Sequence, residues 1–251
     1  MSALALETRN LGKAFGSLVV ARSINFKIAK GDRSALIGPN GAGKTTFINL
    51  LTGVLEPSAG QVMLMGREIT QLSRAERVKL GLARTFQINS LFTGLSVLEN
   101  VCMSIAERTG SAMSFFRPLG RNSSVIDEGM ALLARLGMAE HAAMLVSELP
   151  YGRQRLVEIA IALGLEPKVL LLDEPAAGVP KEESHLLLDI ITELCEDMAV
   201  LIIEHDMDLV FRFAKHITVL VRGGILVQGT PREIRNDQRV KDVYLGEGGH
   251  A

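Results

Sequence analysis

The sequence predicts an α/β fold: a core of parallel strands that carries an antiparallel β subdomain and an inserted α-helical subdomain. Three observations predict it. Two continuous apolar runs, "VLLL" from Val169 and "AVLII" from Ala199, have strand length and no polar face, the mark of strands buried on both sides of a parallel sheet. Residues 3–32 instead mix short apolar runs and alternation with glycine at turn positions, which reads as antiparallel β. Between roughly Leu91 and Leu165 the apolar period becomes i, i+3, i+4, as in "DEGMALLARLGMAEHA", which reads as helix.

In chain order, the β-rich start leads into "RSALIGPNGAGKTTFINLLTGVL", a strand, a Gly-rich turn and a helix. "GQVMLMGREI" reads as two short strands around a glycine. Inside the helical insertion, "ERTGSAMSFFRPLGRNSSV" reads as a loop. Its Phe115 and Phe116 either face a partner or tuck into the local core. "KEESHLLLDIITELCED" is an amphipathic helix, "HITVLVRGGILVQG" a hairpin, and "PREIRNDQRVKDVYLG" a helical tail. The expected organisation is one domain over 1–251. Its core takes 1–90 and 166–235, its helical subdomain 91–165 and its tail 236–251.

Composition excludes several classes. With 47% apolar and 22% charged residues, the 251-residue chain is globular rather than disordered. Lys plus Arg total 27 against 28 Asp plus Glu, so no bulk charge favours nucleic acid or an anionic membrane. Cys102 and Cys195 lack metal-ligand spacing and read as buried, reduced thiols. Glu7 and Arg9 come too early for a signal peptide, and no apolar run approaches the ~20 residues of a membrane span.

"GPNGAGKTT" fits G-x-x-x-x-G-K-[ST] from Gly38 to Thr45 and stands between a strand and a helix, the context a phosphate-binding P-loop requires. Gly38, Asn40, Gly41, Ala42 and Gly43 form a turn whose backbone N–H groups can face phosphate oxygens. The helix that opens at Lys44, Thr45 and Thr46 adds its positive end. Lys44 is expected at the β- and γ-phosphates, and the Thr45 hydroxyl on Mg²⁺. Asp173 ends the run "VLLL" and is the expected Walker-B carboxylate for Mg²⁺. Glu174 follows it, positioned to orient or deprotonate a water. His205 ends "AVLIIEH"; by itself a strand-end histidine reads as structural, although a neutral imidazole there could donate to a γ-phosphate. His141, His185, His216 and His250 lack such a setting and read as solvated or packed.

The P-loop, the helical insertion, "LPYGRQ", "LLLDEP" and "IIEHD" stand in the order found in ATP-binding cassette (ABC) proteins, which the chain resembles over nearly its whole length. The resemblance implies a P-loop (RecA-like) core and ATP hydrolysis with Mg²⁺. It implies that Gln87 in "ARTFQ" is the glutamine sensing Mg²⁺ and the attacking water. It makes Phe15 in "KAFG" the aromatic that stacks on adenine, where Tyr is commoner, and His205 the switch histidine.

Two departures stand out. At the signature segment the family has Leu-Ser-Gly-Gly-Gln, whose helix N-terminus caps the γ-phosphate held by a partner cassette. Here Pro150 replaces the Ser, Tyr151 replaces a Gly, and Gly152 keeps the close backbone approach. Proline suits a helix start, so the segment reads as a legitimate variant, with Arg153 or Arg155 either compensating in charge or solvated. The second departure is "AAGVP", Ala176 to Pro180, where the family has Ser-Ala-Leu-Asp.

These departures, "IEHDM" and the tail resemble the longer ATP-binding subunit of branched-chain amino acid importers. That implies a peripheral protein at the cytoplasmic face of the inner membrane. Its implied partners are transmembrane permease subunits, a second cassette in a homo- or heterodimer and, indirectly, a periplasmic substrate-binding protein. A soluble ABC ATPase acting on nucleic acid or ribosomes is the rival, but the sequence has neither a long coiled coil nor a basic patch. A P-loop GTPase or kinase would leave "LPYGRQ" unexplained, and the guanine-reading Asn-Lys-x-Asp is absent.

Overall fold

The computed structural model describes residues 3–85, 91–111, 123–194 and 197–245. Two sheets form the core. The first is antiparallel: β1 (Leu4–Phe15) lies between β2 (Leu18–Ile24) and β5 (Ala59–Leu64), β6 (Arg67–Glu68) extends it beside β5, and β3 (Lys27–Ala29) also pairs with β1. The second has the order β11-β10-β4-β9-β8-β7, made of β4 (Arg33–Ile37), β7 (Leu82–Arg84), β8 (Val169–Asp173), β9 (Ala199–Ile203), β10 (His216–Val221) and β11 (Gly224–Gly229). All of its pairings are parallel except β10 with β11.

Every residue of β8 and β9 is buried, which is why their sequences show no polar face. Their period-two alternation still sorts side chains between two cores. Leu36, Val169, Leu171, Leu201 and Ile203 pack toward the antiparallel sheet and α1 (Lys44–Thr52). Ile37, Leu170, Leu172, Val200 and Ile202 pack toward the helical side. The short helix α2 (Arg74–Lys79) places buried Arg77 under the end of α1, donating to the carbonyls of Leu50 at 2.8 Å and Leu51 at 2.7 Å. These are carbonyls that a helix C-terminus leaves open, so Arg77 fixes α1 from behind.

The insertion contains α3 (Val97–Arg108), α4 (Ser123–Arg135) and α5 (Tyr151–Gly164). Ser96 and Glu99 close a capping box on α3, with Glu99 N–H to Ser96 Oγ at 3.2 Å and Ser96 N–H to Glu99 Oε2 at 2.7 Å. Gly129 lets α4 approach α3: a methyl placed there would lie 3.2 Å from Cys102 Sγ. Cys102 is buried, and burial with nearby Glu99 and Glu128 pushes its thiol up to about 11, so it is the inert thiol the sequence suggests. Cys195, Phe115, Phe116 and His250 lie outside the described residues. Amphipathic α6 (Lys181–Leu194) and α7 (Met207–Phe213) cover the sheet, and the tail forms α8 (Pro231–Asn236) and α9 (Gln238–Leu245).

Candidate functional site

The sheet order brings three chain-distant strand ends together. Leu36 of β4 and Asp173 of β8 both register with Ile203 of β9. The residues that follow these strands, Gly38 onward, Glu174 and His205, therefore emerge side by side at the carboxyl edge of the parallel strands. Ligands of open α/β sheets bind outside that edge.

The Gly-rich turn is shaped by close contacts. Gly38 has φ 154° and sits so near β10 that a methyl there would lie 2.2 Å from the Leu220 carbonyl oxygen. Gly43 has φ 102°, and its missing side chain faces the Val20 carbonyl of β2 at 3.1 Å. The Gly223 N–H donates to the Ala42 carbonyl at 2.8 Å, and the Arg22 N–H donates to the Gly223 carbonyl at 2.7 Å. The β10–β11 turn thus staples the loop to the antiparallel sheet. Asn40, Gly41 and Thr45 are exposed, and Thr46 is half-buried in the first turn of α1. Lys44 Nζ donates to the carbonyls of Gly38 at 2.6 Å and Pro39 at 3.0 Å, so its charge is held over the mouth of the turn.

Glu174 adopts φ 47°, a left-handed backbone that glutamate rarely takes. Its N–H donates to the Ile203 carbonyl at 2.9 Å and its carbonyl accepts from Ala177 at 3.0 Å, which holds the turn in that conformation. Asp173 is buried, and its Oδ2 accepts from Arg84 Nη2 at 2.6 Å. Arg84 Nη1 donates to Asn49 Oδ1 of α1 at 2.8 Å, so one guanidinium joins the strand end to the P-loop helix. Gln87 lies three residues beyond Arg84 and outside the described residues.

His205 is exposed, its ring 73% accessible. The residue before it, Glu204, is 2% exposed. Its Oε1 accepts from the Ala176 N–H at 3.1 Å and its Oε2 from the His205 N–H at 3.2 Å. Burial raises the Glu204 carboxyl above its ordinary range, and the nearby Glu174 charge pushes the same way, against the two N–H bonds and the proximity of His205. Asp206 caps α7, accepting from Asp208 N–H at 2.9 Å and Leu209 N–H at 3.3 Å.

Phe15 stands at the β1–β2 turn, 54% exposed, with Lys13 Nζ 5.0 Å from its ring centre. Its partner strand β2 touches Gly43 through Val20, so the aromatic belongs to the sheet that walls the P-loop. At the other motif, α5 begins directly after Pro150, whose φ is −57°. Arg155 corrects one expectation: it is neither solvated nor a spare charge. It is buried, donating to Glu158 at 2.7 Å and to the Tyr151 hydroxyl, with its guanidinium 5.0 Å from the Tyr151 ring centre. Arg153 reaches back to the Gly137 carbonyl at 3.3 Å. His216 is likewise paired, with Nδ1 2.8 Å from Asp32.

Sequence reasoning missed Arg84, Glu204 and Glu158, and it missed the burial of Arg155. Only the apolar surroundings of Glu204 and Glu158 hinted at burial. Among the described residues no three His, Cys, Asp or Glu cluster to hold a metal alone. The donor set instead suits a hard cation held by one carboxylate, one hydroxyl and substrate phosphates, the usual manner for Mg²⁺.

Comparison with known proteins agrees in kind. The model of the family described as ABC transporter matches residues 21–177, and that described as branched-chain amino acid ATP-binding cassette transporter matches 225–250. The high-affinity branched-chain amino acid transport ATP-binding protein LivG of Salmonella typhimurium is 38% identical, covering 98% of this chain and 100% of LivG. BraF of Pseudomonas aeruginosa, of the same description, is 37% identical with the same coverage. The crystal structure of the ADP conformation of MJ1267, an ATP-binding cassette of an ABC transporter, superposes with TM-score 0.87 at 30% identity, covering 97% of this chain and 99% of that one. The chain thus belongs to the ABC transporter family, as a nucleotide-binding ATPase subunit whose hydrolysis is coupled to transport.

Proposed function

We propose that this cassette energises an importer of branched-chain or related amino acids, through closure of two cassettes on ATP. The observation that carries the catalytic reading is the shared edge at which Gly38–Thr46, Asp173–Glu174 and His205 emerge. Phe15 stacks on adenine. The backbone of Gly38, Asn40, Gly41, Ala42 and Gly43 wraps the phosphates, and the α1 N-terminus with Thr46 faces their charge. Lys44 exchanges its loop carbonyls for β- and γ-oxygens. Mg²⁺, when bound by Thr45, Asp173 and Gln87, supplies charge neutralisation at the phosphates. Glu174 takes the proton of the attacking water, and His205 donates to the γ-phosphate. Pro150, Tyr151 and Gly152 present the α5 N-terminus to the nucleotide of the facing cassette.

The substrate class is supported by the names of the full-length relatives and by the family match at 225–250. No described helix is long and apolar enough to cross a membrane. In this reading the subunit is peripheral and docks on separate permease subunits at the cytoplasmic face. A periplasmic binding protein delivers the amino acid to those permeases. Glu174→Gln tests the reading: hydrolysis falls at least about 100-fold while ATP binding persists, because the amide keeps the shape and loses the base. Gel filtration with ATP and Mg²⁺, on the variant mixed with its companion cassette, then shows a trapped dimer. Undiminished hydrolysis removes Glu174 from catalysis. Uptake of labelled leucine against labelled glutamate, in cells with and without this chain, tests the substrate.

A further inference from the structure

The two departures from the family pattern, at Tyr151 and at "AAGVP", are in contact. Gly178 has φ +75°, and a methyl placed on it would lie 2.9 Å from Tyr151 Cε1 and 3.5 Å from its Cδ1 and Cζ. One residue on, a methyl on Gly152 would lie 3.5 Å from Val179 Cγ1. The tyrosine ring therefore lies flush on the backbone of the segment that follows Glu174, where only glycine gives it room. Behind the ring, Arg155 Nη2 donates to the Tyr151 hydroxyl and Nη1 to Glu158 at 2.7 Å. Arg155 and Glu158 are 5% and 8% exposed, and with Thr85, Ile159, Asp173 and Pro175 they line a narrow void beside the Walker-B strand end. The Tyr151–Arg155–Glu158 arm thus sits beside the end of the strand that carries Asp173, while its ring lies against Gly178 in the segment that follows Glu174.

We infer that Tyr151 is a positioning residue that locks the start of α5 to the Ala176–Val179 turn of the same chain. The helix end offered to the partner's nucleotide and the turn holding this chain's own Glu174 then move as one body. The segment itself offers only Ala176, Ala177 and the side-chain-less Gly178 before Val179, so the Tyr151 ring supplies the contact at Gly178. The inference rests on the proposed roles of Pro150–Gly152 and Glu174.

The test uses the full chain for amide exchange and the ATP-hydrolysing complex for kinetics, with Tyr151→Ala, Gly178→Ala, their double variant and Tyr151→Phe. Alanine suits the first turn of a helix, so Tyr151→Ala removes the ring and leaves the α5 backbone a good helix former. In the isolated chain, Tyr151→Ala raises exchange at Ala177 and Val179, whose N–H groups bond within the turn, by about tenfold or more. Tyr151→Phe keeps the ring and leaves that exchange as in the wild type. In the complex, each single alanine lowers kcat about tenfold with KM for ATP nearly unchanged. The double variant is no worse than the poorer single, since the added methyl has no ring to strike. The left-handed strain of an alanine at 178 is present in both backgrounds and cancels in this cycle. Multiplicative losses, or exchange at Ala177 and Val179 indifferent to Tyr151→Ala, overturn the inference. Should Tyr151→Ala not fold, Gly178→Ala alone must raise exchange in the first turn of α5 by displacing the ring; unchanged exchange there overturns it too. Failure of the ATPase reading is distinguishable, because the wild-type complex itself would then not hydrolyse ATP.

Discussion

Helices α1 and α5 both begin directly after a turn, and in the proposed function both offer the positive end of a helix to an anion, but they are built from opposite materials. The turn before α1 holds three left-handed glycines, with a lysine opening the helix, and is enclosed by β2, β10 and the β10–β11 turn of the same chain. Before α5 stands a proline, with a tyrosine opening the helix, and the arginines of its first two turns, Arg153 and Arg155, both fold back. A pocket that must wrap phosphate within one chain needs backbone that comes close from several sides. A cap that meets phosphate only when another molecule arrives needs a rigid, pre-set helix end, and proline with a braced tyrosine provides one.

Breaking the first turn has the largest expected effect. Lys44→Ala removes the positive side chain of the loop and lowers ATP affinity at least about 100-fold, read by titration with a fluorescent ATP analogue. Wild-type affinity in that variant would erase the distinction between the two helix ends. Gly38→Ala comes next. Its methyl meets the Leu220 carbonyl oxygen at 2.2 Å, so β10 must shift; nucleotide affinity falls about tenfold and Tm drops by several degrees. The same substitution with neither effect would mean the turn does not depend on that approach.

Glu204→Gln probes the buried carboxylate that holds Ala176, at the start of the segment against which Tyr151 of the second region rests. An amide offers one acceptor where two N–H groups now bond, so the variant is less stable by about 1–3 kcal/mol at low pH. The sign with pH follows from burial. The unfolded chain ionises Glu204 near the ordinary 4.5, the folded chain only at higher pH. The wild type therefore loses stability as pH rises from 4.5 through the raised value, and glutamine does not titrate. The Tm gap between the two narrows across that window and is constant above it; a gap independent of pH would show that Glu204 does not bind its proton more tightly in the fold. Pro150→Ser has the smallest effect. A restored hydroxyl adds about 1 kcal/mol at most, and the lost φ restriction offsets it, so ATPase activity changes less than about fivefold. A rise above about tenfold would mark the segment as an impaired signature rather than a variant.

What the sequence made legible was local. Glycines that a turn requires, apolar runs that two-sided burial requires, and the alternation that separates β from helix are all written within a dozen residues of where they act. The hidden parts are polar pairs between distant stretches. Arg84 and Asp173 are 89 residues apart, and Ala176 and Glu204 are 28 apart. An arginine in sequence looks the same whether it will be solvated or buried, and only the packing of α5 against the Walker-B strand makes Arg155 an interior residue. Arg77, buried beneath α1, was silent for the same reason.

The staple between Gly223 and Ala42 bears on how the chain is made. The P-loop strand is synthesised early, yet its two sheet neighbours begin at Ala199 and His216, and the turn that closes over the loop comes at Gly223. A nascent chain holding every P-loop residue still lacks the walls that shape the pocket. Such long-range pairing slows folding. Because a ligand stabilises only the state that binds it, ATP can act as a folding ligand for this subunit only after most of the chain, through Gly223, has been synthesised. Until then the early strands depend on their own apolar contacts, or on chaperones, to stay clear of aggregation.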